Sequence, residues 1–163
     1  MSNTDSQMEW IARSWLKDRG VKCEHLADLV LFLQRAYHPL LTREACMPHI
    51  DAVLSKREVQ NAIITGIQLD RLAEQGLLDE PLLNILNRDE PLYGVDEIIA
   101  LSIVNVYGSI GLTNYGYIDK MKPGILQILN DKSTGSCHTF LDDIVGAIAA
   151  AASSRLAHHP RLP

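Results

Sequence analysis

The sequence predicts an all-α fold: a bundle of about six to eight helices around one central, alanine-rich helix at residues 139–157. Apolar residues recur at helical spacing along the chain, and no segment shows the alternation of a half-buried strand. Caps, prolines and glycines separate these segments into helical lengths. The stretch TFLDDIVGAIAAAASSRL carries bulky side chains on one half of a helix and small ones on the other. Neighbouring helices are therefore expected all round it.

Five helices are predicted in the first half of the chain. They cover residues 6–19, 24–37, 42–54, 55–74 and 79–87. Gly20 and Pro39 end the first two. Thr42 is a cap for the third, and Ser55 with Glu58 forms a capping box for the fourth.

The second half leads to the central helix. A helix is predicted from Val95 to about Gly108, and the glycines at 108, 111 and 116 are expected to break the pattern that follows. A short helix carries Asp119, and a proline at 123 begins another through residue 129. Thr139 and Asp142 resemble a capping box for the central helix. The chain is predicted to be a single all-α domain, 1–163, with frayed tails at 1–5 and 158–163.

Composition and charge exclude some classes of function. The formal net charge of −5 argues against general nucleic-acid binding, which needs a positive surface. Three cysteines without CxxC spacing indicate reduced thiols, and no secretory signal is apparent, so a cytoplasmic protein is expected. Residues 98–118 contain no charge and are long enough to span a bilayer. Their glycines, serines and asparagines favour a buried helix and turn, with membrane contact as the alternative.

Acidic residues at three places in the second half of the chain are candidates for one site. Asp96-Glu97 opens one helix, Asp119 is followed by Lys120 and Lys122, and Asp142-Asp143 opens the central helix. If these elements pack side by side, their carboxylates meet at one end of the bundle, and such oxygen ligands suit Mg²⁺. Taken singly, the acids also fit a helix-dipole role or an exposed ion pair.

Three segments around these acids resemble one family. They are GVDEIIALSIV at 94–104, YIDKMKPG at 117–124 and HTFLDDIVGAIAA at 138–150. In order and context they resemble the three motifs of the phosphatidylglycerophosphatase A family. Over residues 56–158 the resemblance is closer to its soluble branch, the YutG-like or low-temperature-requirement C proteins.

The resemblance implies a helical, Mg²⁺-dependent phosphatase that converts phosphatidylglycerophosphate to phosphatidylglycerol, with Mn²⁺ as the alternative ion. The implied partner is a phosphorylated lipid head group at the inner face of the membrane, and peripheral membrane contact and self-association are left open. The resemblance assigns five carboxylates to catalysis, all but Glu97 as metal ligands too, and Lys122 to the phosphate. These carboxylates are Asp96, Glu97, Asp119, Asp142 and Asp143.

The sequence departs from the membrane-bound members of that family. It has no clear transmembrane helices, and KREVQNAIITG at 56–66 stands where they have a Pro-Gly-Thr-x-Gly-Ser stretch. Arg57 and Asn61 are therefore candidate substrate contacts, against a solvated first helical turn as the alternative. His138 is a further candidate, as a proton donor to the leaving alkoxide or as a cap.

Two other functions remain open at this stage. The first is an all-α nucleotide pyrophosphohydrolase, which also gathers Mg²⁺ on helix carboxylates. Glu58 and Glu97 lack an acid three residues on, and the E-x-x-E pattern of those enzymes is therefore missing. The second is a non-catalytic helical interaction protein.

Overall fold

The computed structural model describes residues 3–159, with side chains from residue 7 onward. Within this range the chain is helical and contains no strand, which confirms the all-α prediction. Seven helices have ten or more residues, and two are short. Their bounds are α1 Asn3–Asp18, α2 Cys23–Gln34, α3 Arg43–Leu54, α4 Arg57–Glu74, α5 Leu82–Arg88, α6 Val95–Val104, α7 Gly108–Met121, α8 Ile125–Leu129 and α9 Leu141–Ala157.

Helix α9 lies at the centre of the bundle. Every residue of α9 is buried except Arg155 and Ala157. Helices α2, α3, α4, α6, α7 and α8 all pack directly on it, while α1 packs on α4 and α3. The central alanine-rich helix predicted from the sequence is therefore confirmed.

Small residues permit this enclosure. A Cβ atom built at Gly66 of α4 would overlap the Ile144 side chain and come within 2.9 Å of Phe140 Cβ. A Cβ atom at Gly146 of α9 would lie 3.5 Å from the Ile118 side chain of α7, an ordinary contact. The crossing of α4 and α9 is therefore the closer of the two, and it depends on Gly66.

Helices α6 and α7 form an antiparallel hairpin around α9. A 3₁₀ turn over Asn105–Tyr107 joins them, and Gly108 has a positive φ of 75°. The turn lies at the carboxyl end of α9, where Ser154 Oγ donates a hydrogen bond to the Tyr107 carbonyl at 2.8 Å. The start of α6 and the end of α7 therefore lie together at the amino end of α9.

This hairpin contains the uncharged run noted in the sequence. By length and composition alone, Val95–Met121 is apolar enough to cross a membrane, and 28% of its most apolar window is buried. Its two arms are about 15 and 21 Å long at 1.5 Å per residue, against a hydrocarbon core of about 30 Å. Folded as a hairpin, neither arm is long enough to cross.

Several local predictions are wrong. Ser55 does not cap α4, because it ends α3 and donates its hydroxyl to the Ala52 carbonyl at 3.0 Å. Thr139 does not cap α9, because its hydroxyl donates to the Leu86 carbonyl at 2.7 Å. Gly111 and Gly116 do not break a helix, because both lie inside α7. A Cβ atom at Gly111 would come within 3.0 Å of a Val104 side-chain carbon of α6.

The predicted tails fall partly outside the described residues. Residues 1–2 and 160–163 lie outside them, and α1 already begins at Asn3 rather than Ser6. At the other end, His158 caps α9, and the ring of His159 lies 5.8 Å from that of His49. The Thr42 cap is confirmed, because its hydroxyl accepts the Ala45 N–H at 3.3 Å.

Candidate active site

The ammonium group of Lys122 joins three carboxylates at the amino end of α9. Its Nζ lies 2.6 Å from Asp119 Oδ1, 2.7 Å from Asp142 Oδ2 and 3.4 Å from Asp143 Oδ1. Lys122 has a left-handed backbone, φ 44°, which ends α7 at this point. Two of the three acidic segments therefore meet at one cation.

The third acidic segment contributes Asp96 to the same end of the bundle. Asp96 is buried in the first turn of α6, and its Oδ1 has no hydrogen-bond partner among the described residues. Its negative charge contributes to the raised pKa of Asp143. Glu97 is exposed. The structure thus brings together four of the five predicted carboxylates with Lys122, while Glu97 stays at the surface beside them.

Burial dominates the electrostatics of this cluster. Burial and then repulsion from Asp142 raise the pKa of Asp143 to about 8. Burial also raises the pKa of Asp142, although the Lys122 charge opposes the shift. For Lys122, burial lowers the pKa, but its carboxylate neighbours outweigh burial and hold the pKa above its usual value. Lys122 therefore stays charged beside acids whose negative charge is only partly compensated.

Asp70 of α4 caps the helix that carries Asp142 and Asp143. It is fully buried, and its carboxylate accepts the N–H groups of Phe140 at 3.1 Å and Leu141 at 3.0 Å. These are two of the amides that a helix start leaves without an intrahelical partner. Burial raises the pKa of Asp70 to about 8, against the effect of these two hydrogen bonds. Asp70 therefore fixes where α9 begins.

Arg19 and Glu74 hold the segment just before α9. Arg19 makes two hydrogen bonds to Glu74, at 2.6 and 2.9 Å, and donates to the Cys137 carbonyl at 2.6 Å. Glu74 accepts the Cys137 N–H at 2.7 Å. Arg19 Nη2 lies 3.0 Å from His138 Nδ1. Because a guanidinium only donates, this contact makes Nδ1 an acceptor and leaves the ring proton on Nε2.

A cavity of about 350 Å³ opens beside Asp142. His138, Asp89 and Lys132 share its wall with Asp142, together with the loop of residues 130–137. Burial, and then the Arg19 charge, lower the pKa of His138. His138 therefore presents a neutral imidazole in the cavity next to the carboxylates.

Arg57 and Asn61 are not brought to this site. Helix α4 runs antiparallel to α9, since Asp70 lies at Phe140 and Gly66 packs on Phe140 and Ile144. At 1.5 Å per residue, Arg57 and Asn61 precede Asp70 by roughly 20 and 14 Å along α4. Both side chains are exposed near the other end of the bundle, away from the carboxylates.

The carboxylates fit Mg²⁺ by chemistry, although they do not form a closed cage. Within residues 3–159, no three His, Cys, Asp or Glu side chains are arranged to hold a metal ion by themselves. Lys122 explains this, because its ammonium lies between the oxygens of Asp119 and Asp142. Mg²⁺ commonly takes only one or two protein carboxylates and fills its other positions with water and phosphate. The Oδ1 atom of Asp96, which has no hydrogen-bond partner among the described residues, is an oxygen that could take such a place.

The sequence did not predict four residues that support the site. They are Arg19, Asp70, Glu74 and Asp89. Asp70 had a readable signal, since it continues the buried stripe of Val59, Ile63 and Ile67 on α4. Asp89 follows α5 in a left-handed conformation, and its charge adds to the raised pKa of Asp96 and Asp142. Nothing local to Arg19 or Asp89 in the sequence points to residue 142, so only the fold reveals them.

A family model decides the relationship that the three motifs suggested. The model described as Phosphatidylglycerophosphatase A matches residues 15–158. The chain belongs to the phosphatidylglycerophosphatase A family. The match contains the entire carboxylate cluster, Lys122 and the cavity wall.

Relatives of the chain share both its sequence and its fold. The uncharacterized protein YutG of Bacillus subtilis (strain 168) is 68% identical over 156 residues, which cover 96% of this chain and 94% of YutG. A solved structure of a protein of unknown function from Bacillus stearothermophilus is 72% identical, with a TM-score of 0.92, and the match covers 94% of this chain and 95% of that one. The low temperature requirement C protein from Listeria monocytogenes is 66% identical, with a TM-score of 0.91, covering 93% of this chain and 95% of the other. The predicted membership of the YutG-like branch is thereby confirmed.

Proposed function

We propose that the protein is a Mg²⁺-dependent phosphomonoesterase that hydrolyses phosphatidylglycerophosphate to phosphatidylglycerol and phosphate. The observation that carries the proposal is the meeting of Asp96, Asp119 and Asp142-Asp143 at one point in a chain of this family. Carboxylates buried this closely need a positive partner, because each costs several kcal/mol to bury alone. Lys122 meets that need only in part.

Asp96, Asp119, Asp142 and Asp143 would hold the Mg²⁺ ion. When bound, Mg²⁺ neutralises phosphate oxygens and lowers the pKa of coordinated water. Lys122 contacts the phosphoryl group. Its positive charge stabilises the negative charge that develops on the phosphoryl oxygens in the transition state. The wall of carboxylates keeps Lys122 protonated.

His138 has a separate role in the cavity. Its Nδ1 is engaged by Arg19, which leaves the Nε2–H free to donate a hydrogen bond to the oxygen of the departing alcohol. A neutral imidazole keeps this proton, so His138 stabilises the charge on the departing oxygen, and the alkoxide takes its proton from water. Arg19 and Glu74 act as positioning residues, since they hold His138 and the start of α9 without facing the phosphate themselves.

A lipid substrate also requires contact with the bilayer. Large apolar side chains are exposed around the amino end of α9, among them Leu92, Ile98 at the start of α6, Met121 at the end of α7, and Ile128 on α8. We propose that these side chains rest in the interface of the bilayer and place the site over the head groups. The net charge of −5 gives no general attraction to anionic lipid, so apolar contact has to supply the affinity.

Phosphate release from phosphatidylglycerophosphate in detergent micelles tests the proposed activity. We expect release that requires Mg²⁺, and a loss of about 100-fold or more in kcat for Asp142→Asn and Asp96→Asn. Asp18→Asn, which removes a surface carboxylate on α1, is the matched control. Full activity in Asp142→Asn, or activity after complete chelation of divalent ions, would contradict the proposal. Pyrophosphate release from nucleoside triphosphates would favour a pyrophosphohydrolase instead.

A further inference from the structure

The cavity beside Asp142 has walls of two different kinds. At the end formed by Asp142 it borders the carboxylate cluster. The remaining wall is mostly polar and is built from α5 and the loop before α9. Its polar side chains, besides His138 and Thr139, include Asn87, Asn130, Lys132 and Ser136. With a volume of about 350 Å³, the cavity is within the range of small-molecule sites.

Among the described residues that line this cavity, Lys132 is the one that is a lysine or an arginine. Its Nζ lies 3.2 Å from Asp89 Oδ2 and 3.3 Å from the Arg88 carbonyl, and 60% of its side chain is exposed. Ion pairs this exposed contribute little stability, so an anion can compete for Lys132 at small cost.

The other carboxylates of the wall already have partners. Glu74 is held by Arg19 through two hydrogen bonds, and Asp131 accepts the Ser133 N–H at 2.9 Å. Asp89 is paired with Lys132, and its charge also acts on Asp142 and Asp96. The hydroxyl and amide groups of the cavity wall can therefore bind a polyol. Lys132 can bind one negative charge that the same ligand carries next to the polyol.

We propose that this cavity binds the alcohol part of the substrate, a glycerol that carries a second phosphate as a diester, and that Lys132 pairs with that diester. The inference rests on the proposed function and adds how the same site selects its substrate. When the phosphomonoester of the substrate lies at the carboxylate cluster, the rest of its head group lies in the cavity. The polar wall holds the glycerol hydroxyl, and the acyl chains remain outside.

Two water-soluble substrates test the selection without any effect of the membrane. One is the deacylated head group, glycerophospho-glycerophosphate, which carries both the monoester and the diester. The other is glycerol 3-phosphate, which carries only the monoester. For Lys132→Met we expect kcat/KM to fall about tenfold on the first and less than about twofold on the second. Lys56→Met, which removes an exposed charge at the other end of the bundle, should change neither value.

Equal losses on both substrates would mean a structural role for Lys132, and no loss on either would mean no role; each result overturns the inference. Binding of glycerophosphoglycerol, which has the diester but no cleavable phosphate, gives a test that does not depend on turnover. By calorimetry we expect binding to the wild-type protein that Lys132→Met weakens about tenfold. A wild-type protein that fails to bind this diester overturns the inference. A wild-type protein that binds it but releases no phosphate from phosphatidylglycerophosphate micelles overturns the proposed activity instead.

Discussion

At the scale of single residues, Lys122 determines the charge balance of the site. It contacts Asp119, Asp142 and Asp143, and the last two have side chains only 9% and 8% exposed. A lysine in this position compensates the acids when no divalent ion is present. It would also compete with the proposed Mg²⁺ ion, because both would use the same oxygens.

Replacing Lys122 by methionine should therefore have two opposite effects. Without divalent ions, the free energy of unfolding should fall by about 3 kcal/mol, because the buried carboxylates lose their cation. Added Mg²⁺ should raise the melting temperature of Lys122→Met more than that of the wild type. Thermal unfolding with and without Mg²⁺ measures both effects. Lys120→Met, an exposed neighbour, is the control, and equal melting temperatures for the two variants without metal would contradict the prediction.

Glu74 should make the stability of the protein depend on pH. Hydrogen bonds from Arg19 lower its pKa below the ordinary value of 4.5, against a smaller effect of burial. A carboxylate with a lowered folded-state pKa stabilises the fold above its unfolded-state pKa. That contribution disappears as the pH falls through the folded-state value.

We expect Glu74→Gln to lower the free energy of unfolding by about 2 kcal/mol at pH 7 and by much less at pH 3. Urea unfolding at the two pH values gives the difference. Glu90→Gln, on an exposed side chain, should show no such change between them. A Glu74→Gln effect that is equally large at pH 3 would mean that packing, rather than the charge of Glu74, holds the segment before α9.

At the scale of elements, the crossing of α4 and α9 sets the position of the site. Gly66 allows α4 to approach Phe140, and one turn later Asp70 caps α9. The cap and the close approach act on the same two helices. A change in their spacing would move Asp142 and Asp143 relative to Lys122.

Gly66→Ala should destabilise the protein by about 1–2 kcal/mol. The new methyl group lies 2.9 Å from Phe140 Cβ, whose backbone is fixed by Asp70, and such overpacking outweighs the gain in helix propensity of about 1 kcal/mol. Gly116→Ala on α7 meets no atom within 4 Å and should stabilise by about 0.5–1 kcal/mol. Chemical unfolding of the two variants checks the contrast, and stabilisation by both would show that the crossing relaxes easily.

Prediction from the sequence succeeded for the helices and for the acids that the family motifs mark, and it failed for other contacts between distant elements. The sequence identified α9 as the central helix because small residues, its alanines and one glycine, occur along most of its length. Cap signals were misread at Ser55 and Thr139, because local spacing cannot show that the Ala52 and Leu86 carbonyls compete for those hydroxyls. The acids at 96, 119 and 142 were found through their motifs. Asp70 was not found: its place on the buried stripe of α4 indicates burial, but its partner Phe140 lies 70 residues away.

At the scale of the whole molecule, the proposed membrane contact uses the exposed apolar side chains at one end of the bundle. Ile98 and Met121 are 63% and 51% exposed, and both lie at the open end of the α6–α7 hairpin. The same end holds Asp96 and Asp119. Under the proposed function, docking through this end would bring the carboxylates to the lipid head groups.

The double variant Ile98→Ser with Met121→Ser should bind lipid vesicles about tenfold more weakly. Its kcat/KM on the deacylated head group should stay within about twofold of the wild type, because neither side chain enters the cavity. Vesicle co-sedimentation and phosphate release measure the two properties. Leu40→Ser with Val106→Ser, at the other end of the bundle, is the matched control, and an equal loss of vesicle binding in that pair would reject an oriented contact.

The enclosure of α9 also bears on how the chain is made. Of the described helices, α9 comes last in the chain, yet six of the others pack against it. During synthesis those six helices leave the ribosome before α9 has been made. Until then, the apolar faces that pack on α9 have no partner to bury them. We therefore expect the bundle to close only once α9 has emerged, and a nascent chain stalled just before Leu141 to remain open to proteases and chaperones.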